Sequence, residues 1–192
     1  SEAFDGGFAA SVLTLTLTSG VLVTIASCLV LFVEPIAGGS GIPEVKTYLQ
    51  GVQLPRMLRL STLLAKLGGL LCSIAAGLVC GKEGPMVHAG AIVANGLSQG
   101  SSRTLKCRLK MCARFRNDHD RLDFIAAGAA SGVAAAFGAP IGGVLFALEE
   151  AATRWSQGLT WRTFFAAMCS TSALNLFESA LGSGGSAFGQ LS

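Results

Sequence analysis

Long apolar stretches dominate this chain, and few charges interrupt them. The cleanest stretch, Ala9 to Val33, has no charged residue and is about as long as a helix must be to cross the hydrocarbon core of a bilayer. A second apolar helix is predicted from roughly Met57 to Val79. Three basic residues are expected to precede it: Arg56, Arg59 and Lys66.

Three further segments begin with glycine and then proline, and each is too short to cross a bilayer. They run from Ile42 to about Gln50, from Pro85 to about Ser98 and from Pro140 to Glu150. Proline suits the first turn of a helix. Because lipid cannot satisfy free backbone groups, such half-helices persist at membrane depth only where they line protein or a watery cavity. Their N-termini attract anions, and in transporters they meet around an anionic substrate.

Two longer helices complete the pattern. The helix from Leu122 to Phe137 carries Gly128 and Gly132 at a spacing that predicts a tight helix–helix seam. The last helix, about Thr160 to Leu181, follows Trp155 and includes Trp161 near its start, where aromatic side chains are usual at a membrane interface. The chain is therefore predicted to be an all-α, polytopic membrane protein with broken and re-entrant half-helices.

Composition supports a membrane protein, since 51% of residues are hydrophobic and only 13% are charged. Residues 99–121 hold seven of the fourteen basic residues, which indicates a cytoplasmic loop under the positive-inside rule. No nucleic-acid-binding motif accompanies them, so no nucleic-acid partner is expected.

Neither a disulfide framework nor a metal centre is expected. The six cysteines include no C-x-x-C pair and mostly lie in apolar stretches, as buried cysteines do. No cofactor is expected either. Because the chain lacks an initiator methionine and begins with nothing resembling a signal peptide, we expect it to be a piece of a longer protein.

Glu83 is the leading candidate for function. It lies in a charged, glycine-hinged break between apolar flanks, where a carboxylate costs about 2.5–3.5 kcal/mol unless it is supported. We expect it just before a helix that begins at Pro85. There, an ionised Glu83 would occupy the position of an anion, and protonation would release it. The alternative is a structural salt bridge with Lys82, which is disfavoured because adjacent residues do not face each other on a helix.

The remaining candidates each have a structural alternative. Ser40 is placed to offer its hydroxyl to an anion, or else it is a turn serine. Glu44 is expected to stabilise a helix N-terminus, and His88 to be a packed, hydrogen-bonded histidine. Glu149 and Glu150 close a helix that places Glu150 roughly 16 Å from Pro140, near the aqueous boundary. They would form a proton port, or a solvated pair bridged to a nearby arginine at position 154.

Three motifs in this order resemble the CLC family of chloride channels and chloride/proton exchangers. They are Gly39-Ser40-Gly41-Ile42-Pro43-Glu44, then Gly81-Lys82-Glu83-Gly84-Pro85 with His88, then Gly138-Ala139-Pro140 leading to Glu149-Glu150. The resemblance implies that residues 1–192 form the N-terminal half of the membrane domain, one half of an inverted repeat. It also implies that the other half and any CBS domains lie outside this chain.

The resemblance also implies roles for individual residues. Glu83 would be the gate, and Glu83, Glu149 and Glu150 would carry protons. The resemblance implies voltage-sensitive chloride transport. Because the family's channels generally lack the acid at position 150, its presence favours coupled chloride/proton antiport. Residues implied to bind the anion are Ser40, Gly41, Ile42, Glu83 and Gly84.

The resemblance further implies a homodimer in the lipid bilayer of an intracellular organelle, of endosomal, lysosomal or vacuolar type. Its partners would be chloride and protons. Three alternatives stay open from the residues alone. They are a passive chloride channel, an intramembrane enzyme that uses Glu83 and His88, and a structural membrane subunit.

Overall fold

The computed structural model describes residues 2–52, 54–99, 118–151 and 156–180, and within them every regular element is helical. This confirms the predicted all-α class. A 3₁₀ turn, Pro35–Gly38, follows the first helix, and a π-helical turn, Ala147–Ala151, follows the sixth. The seven α-helices are α1 Glu2–Val33, α2 Ile42–Leu49, α3 Leu60–Ala75, α4 Glu83–Gln99, α5 Asp118–Phe137, α6 Pro140–Phe146 and α7 Gln157–Ala180.

The predicted bounds of the second apolar helix, 57–79, were wrong at both ends. Before Leu60 the backbone turns, and Arg56 adopts a positive φ of 69°. After Ala76 it turns again at Gly77, whose φ is 81°. Lys66 was expected to precede this helix, but it lies inside α3.

The short helices also differ in detail from the prediction. Glu83 is the first residue of α4, so the helix begins two residues before Pro85 and includes the acid that was expected to precede it. The third half-helix keeps α-helical geometry only to Phe146 and then widens into the π-helical turn that carries Glu149 and Glu150. Most of the basic loop lies outside the described residues, as do positions 154 and 155.

One described helix is long and apolar enough to cross a bilayer. It comprises the 24 residues Ala10–Val33, with a mean hydropathy of 2.2 and 6% of its best window buried. Large apolar side chains such as Leu13, Leu15 and Phe32 are exposed on it. Two other apolar helices, Leu60–Ala75 and Pro140–Glu149, are shorter. The helix predicted as the first membrane span is therefore present, and the broken segments are too short to cross alone.

Glycines bring α4 and α5 into backbone contact. A Cβ at Gly132 would lie 2.5 Å from the carbonyl oxygen of Met86 and 2.9 Å from the Cα of Val87. Gly90 and Gly128 face each other's carbonyl groups in the same way. The predicted seam at Gly128 and Gly132 is thus confirmed, and its partner is the helix that begins with Glu83.

We predict that Gly90→Ala destabilises the protein by about 1–3 kcal/mol, because the added methyl group meets the backbone of Gly128 in a packed seam. Gly96→Ala is the matched control on the same helix, since a Cβ there would meet no atom within 4 Å. Thermal unfolding of the full-length protein in detergent measures both effects. Equal melting temperatures for the two variants would contradict the observed packing.

Candidate anion site

A cavity of about 790 Å³ lies where the beginnings of α2 and α4 meet α1 and α3. Its lining is mostly apolar or glycine, with a small number of polar groups among it. This is the usual character of a small-ligand site, in which few polar groups fix the ligand. The polar and ionisable side chains in the lining are Ser27, Ser40, Lys66, Ser73, Cys80 and Glu83.

Two glycines hold the beginning of α2 directly against α4. A Cβ at Gly84 would lie 2.7 Å from the carbonyl oxygen of Ser40. Gly41 has a φ of 99°, which side-chain-bearing residues rarely adopt, and a Cβ there would lie 2.5 Å from the Cβ of His88. Because no side chain separates the two segments, Ser40 lies beside the first turn of α4.

The predicted anion-binding residues do not all reach the cavity surface. Ser40, Ile42, Glu83 and Gly84 line it. Gly41 is buried, and its backbone N–H donates a hydrogen bond to Glu44 Oε2 at 3.0 Å. Glu44 therefore stabilises the beginning of α2, as predicted, and it satisfies one of the amides that an anion would otherwise use.

Glu83 is half-buried at the beginning of α4, and its carboxylate packs on Gly81, where a Cβ would lie 2.5 Å from Oε2. Lys82 is exposed. Within the described part of the chain, no ion pair joins the two side chains. The structural salt bridge between them is therefore absent, and the Glu83 carboxylate lies at a helix N-terminus on the cavity surface, where the dipole favours negative charge.

A buried lysine–histidine pair adjoins the cavity, and of the two residues only Lys66 is part of the lining. Lys66 is 4% exposed and His88 is 0% exposed. Lys66 Nζ lies 2.7 Å from His88 Nδ1, and His88 Nε2 lies 3.2 Å from the carbonyl oxygen of Met57. The interpretation of His88 as a packed, hydrogen-bonded histidine is confirmed. The sequence analysis did not single out Lys66, although a charge within an apolar helix is the signal that would have found it.

The paired acids lie on the π-helical turn after α6. Glu149 is exposed and does not line the cavity. The backbone of Glu150 belongs to the same turn, but its side chain lies outside the described residues. The structure thus places these acids on a separate element from Glu83, and it does not bring Glu149 to the anion cavity.

A second ionisable cluster lies at the beginning of α5. Donor atoms of His119, Asp120 and Asp123 lie within 4.8 Å of one another, and His119 Nδ1 is 3.8 Å from Asp123 Oδ2. His119 is exposed, as its place near the charged loop predicts. Acidic groups of this kind are common on surfaces without a metal.

Comparison with known proteins now identifies the class. Residues 20–189 match the voltage-gated chloride channel family, so this chain belongs to that family. It is 51% identical over 170 residues to the human H(+)/Cl(-) exchange transporter 7, a match that covers 88% of this chain and 21% of the human protein. It is 47% identical over 171 residues to chloride channel protein D of Dictyostelium discoideum, which covers 89% of this chain and 17% of that protein.

The fold agrees with this assignment. The crystal structure of a eukaryotic CLC transporter matches with a TM-score of 0.77 and 31% sequence identity, over 88% of this chain and 30% of that one. The resemblance seen in the three motifs is therefore confirmed. This chain spans about a fifth of the length of the relatives named here.

We predict that Glu44→Ala lowers the free energy of unfolding by about 1 kcal/mol, because the Gly41 amide loses its side-chain acceptor. Glu44→Gln is the control, since its carbonyl oxygen accepts the same hydrogen bond. Chemical or thermal unfolding of the full-length protein measures the difference. If Gln and Ala were equally destabilising, the negative charge rather than the hydrogen bond would hold the beginning of α2.

Proposed function

We propose that the full-length protein exchanges chloride for protons across a membrane in a voltage-sensitive manner, with Glu83 as the gate. The observation that supports this most directly is the shared cavity, in which the Ser40 hydroxyl and the Glu83 carboxylate both lie on the surface. The relatives named as H(+)/Cl(-) exchange transporters support the choice of chloride and protons as the transported ions. No enzymatic role is proposed.

In this proposal the anion site is built from helix ends. Chloride lies against the Ser40 hydroxyl at the beginning of α2 and near the first turn of α4, where free amides and the dipole favour an anion. Gly84 lets the two segments approach closely. Gly41 takes part through its backbone, because it positions the turn that presents Ser40, and Ile42 forms an apolar wall of the cavity.

Gating is a competition between two negative charges. When Glu83 is ionised, its carboxylate occupies the end of α4 and excludes chloride. Protonation removes the charge that holds the carboxylate there. The protonated side chain then moves away with its proton, and chloride takes its place. Glu150, together with Glu149, supplies protons from the other side. Because opposite charges move in opposite directions, each cycle moves net charge, and each elementary charge is worth about 2.3 kcal/mol per 100 mV.

The proposed setting is a multi-pass protein in an intracellular organelle membrane, assembled as a homodimer. The apolar, exposed surface of α1 supports burial in lipid. Exposed apolar side chains on α7, such as Trp161, Phe165 and Phe177, offer surface for lipid or for a neighbouring subunit. The remaining chloride ligands are assigned to segments outside this chain, since the relatives are about four to five times as long.

Glu83→Ala is expected to leave chloride flux intact and to abolish coupled proton flux, because the competing carboxylate is gone. Glu150→Ala is expected chiefly to abolish proton movement. Chloride and proton fluxes of the full-length protein in proteoliposomes measure both, and Glu178→Ala, an exposed acid on α7, is the control. Proton flux that survived Glu83→Ala would remove this residue from the pathway.

Exchange and passive conduction differ in one measurable way. With an imposed chloride gradient and an opposing pH gradient, the exchanger moves protons uphill, whereas a channel cannot. We expect uphill proton flux from the full-length protein. Chloride flux without any uphill proton movement would establish the passive channel instead.

A further inference from the structure

Among the described residues that line the cavity, Lys66 is the cationic side chain. It is 4% exposed in the apolar helix α3, where an uncompensated charge costs several kcal/mol. Among the described residues no carboxylate lies within 4 Å of its ammonium group. Glu44 acts on it electrostatically from farther away, while that carboxylate bonds to the Gly41 amide.

The contact that holds Lys66 is His88. An ammonium group only donates hydrogen bonds, so His88 Nδ1, at 2.7 Å, is the acceptor. Nε2 therefore carries the ring proton and donates to the Met57 carbonyl oxygen at 3.2 Å. His88 is fully buried and the backbone of Gly41 packs on its side chain, which restricts rotation of the ring.

The Lys66 charge is close enough to act on the cavity, because this residue is part of the lining. Its three N–H groups include one that bonds to His88, and Lys66 also lines the cavity. In a mostly apolar cavity, a fixed cation attracts an anion more strongly than it would in bulk water. The same charge attracts the Glu83 carboxylate, which lines the same cavity.

We propose that Lys66 is the fixed cation that sets the affinity of the cavity for chloride, and that His88 is the residue that positions it. The proposal rests on the function proposed above, and it assigns a role in anion binding to Lys66, which lies outside the three motifs. It also gives Met57 a role, because its carbonyl group selects the tautomer in which His88 accepts from Lys66.

The test must remove the Glu83 carboxylate, which competes with chloride. Loss of Lys66 would otherwise weaken the binding of the carboxylate and of chloride together. We therefore place every variant in the full-length Glu83→Ala protein and measure chloride binding by isothermal titration calorimetry. Lys66→Met is expected to weaken chloride binding about tenfold, equivalent to about 1.4 kcal/mol. Arg162→Met removes a charge from α7 outside the cavity, and it is expected to leave the affinity unchanged.

Two amide substitutions at His88 distinguish a role in positioning Lys66 from a role in packing alone. Asparagine places an acceptor near the position of Nδ1, so His88→Asn keeps the bond to Lys66 and should stay within about twofold of the His88 protein in chloride affinity. Glutamine reaches the position of Nε2, so His88→Gln keeps the bond to Met57 and loses the orientation of Lys66. It is expected to weaken chloride binding about fivefold.

The outcomes are distinct. If Lys66→Met, or Lys66→Gln should the first variant not fold, keeps the parent affinity with an unchanged melting temperature, the proposal is overturned. Equal losses in the asparagine and glutamine variants would assign His88 to packing alone. If the Glu83→Ala parent binds no chloride, the proposed function itself fails, which is a different result from an unaltered affinity in the Lys66 variants.

Discussion

The close approach of the residues before α2 to the first two turns of α4 is the constraint on which the site depends. Gly84 lies against the backbone of Ser40, and Gly41 against His88. A side chain at either glycine would separate the two helix ends. Because they touch, a hydroxyl and a carboxylate from distant parts of the sequence share one cavity, and the glycine seam between α4 and α5 keeps α4 in place.

In the proposed mechanism, opposite charges on the wall of one largely apolar cavity let it favour an anion without being permanently filled. The Glu83 side chain is half-buried at a helix end, so in the proposed mechanism its carboxylate can move out of the cavity. Lys66 is buried and held by a neutral histidine, so it stays. In the proposed mechanism, a single proton on Glu83 changes the balance between carboxylate and chloride.

Short sequence motifs predicted those features of the fold that depend on neighbouring residues. Glycine followed by proline located the beginnings of α2 and α6 and came within two residues of the beginning of α4, and small residues four apart located the seam. The ends of α3 were missed, because turns at Arg56 and Gly77 override an apolar pattern that continues through them. The bond between Lys66 and His88 joins residues 22 positions apart, so only the packing of α3 against α4 reveals it. The π-helical turn leaves no clear signal in hydrophobic periodicity.

The central claim is that an anion binds between the helix ends that meet at Ser40 and Glu83. Bromide substitutes for chloride and scatters anomalously, so diffraction from bromide-soaked crystals of the full-length Glu83→Gln protein locates it directly. The account predicts an anomalous peak in this cavity, beside the Ser40 hydroxyl and the first turn of α4. An empty cavity, with bromide bound elsewhere along the transport pathway, would contradict it.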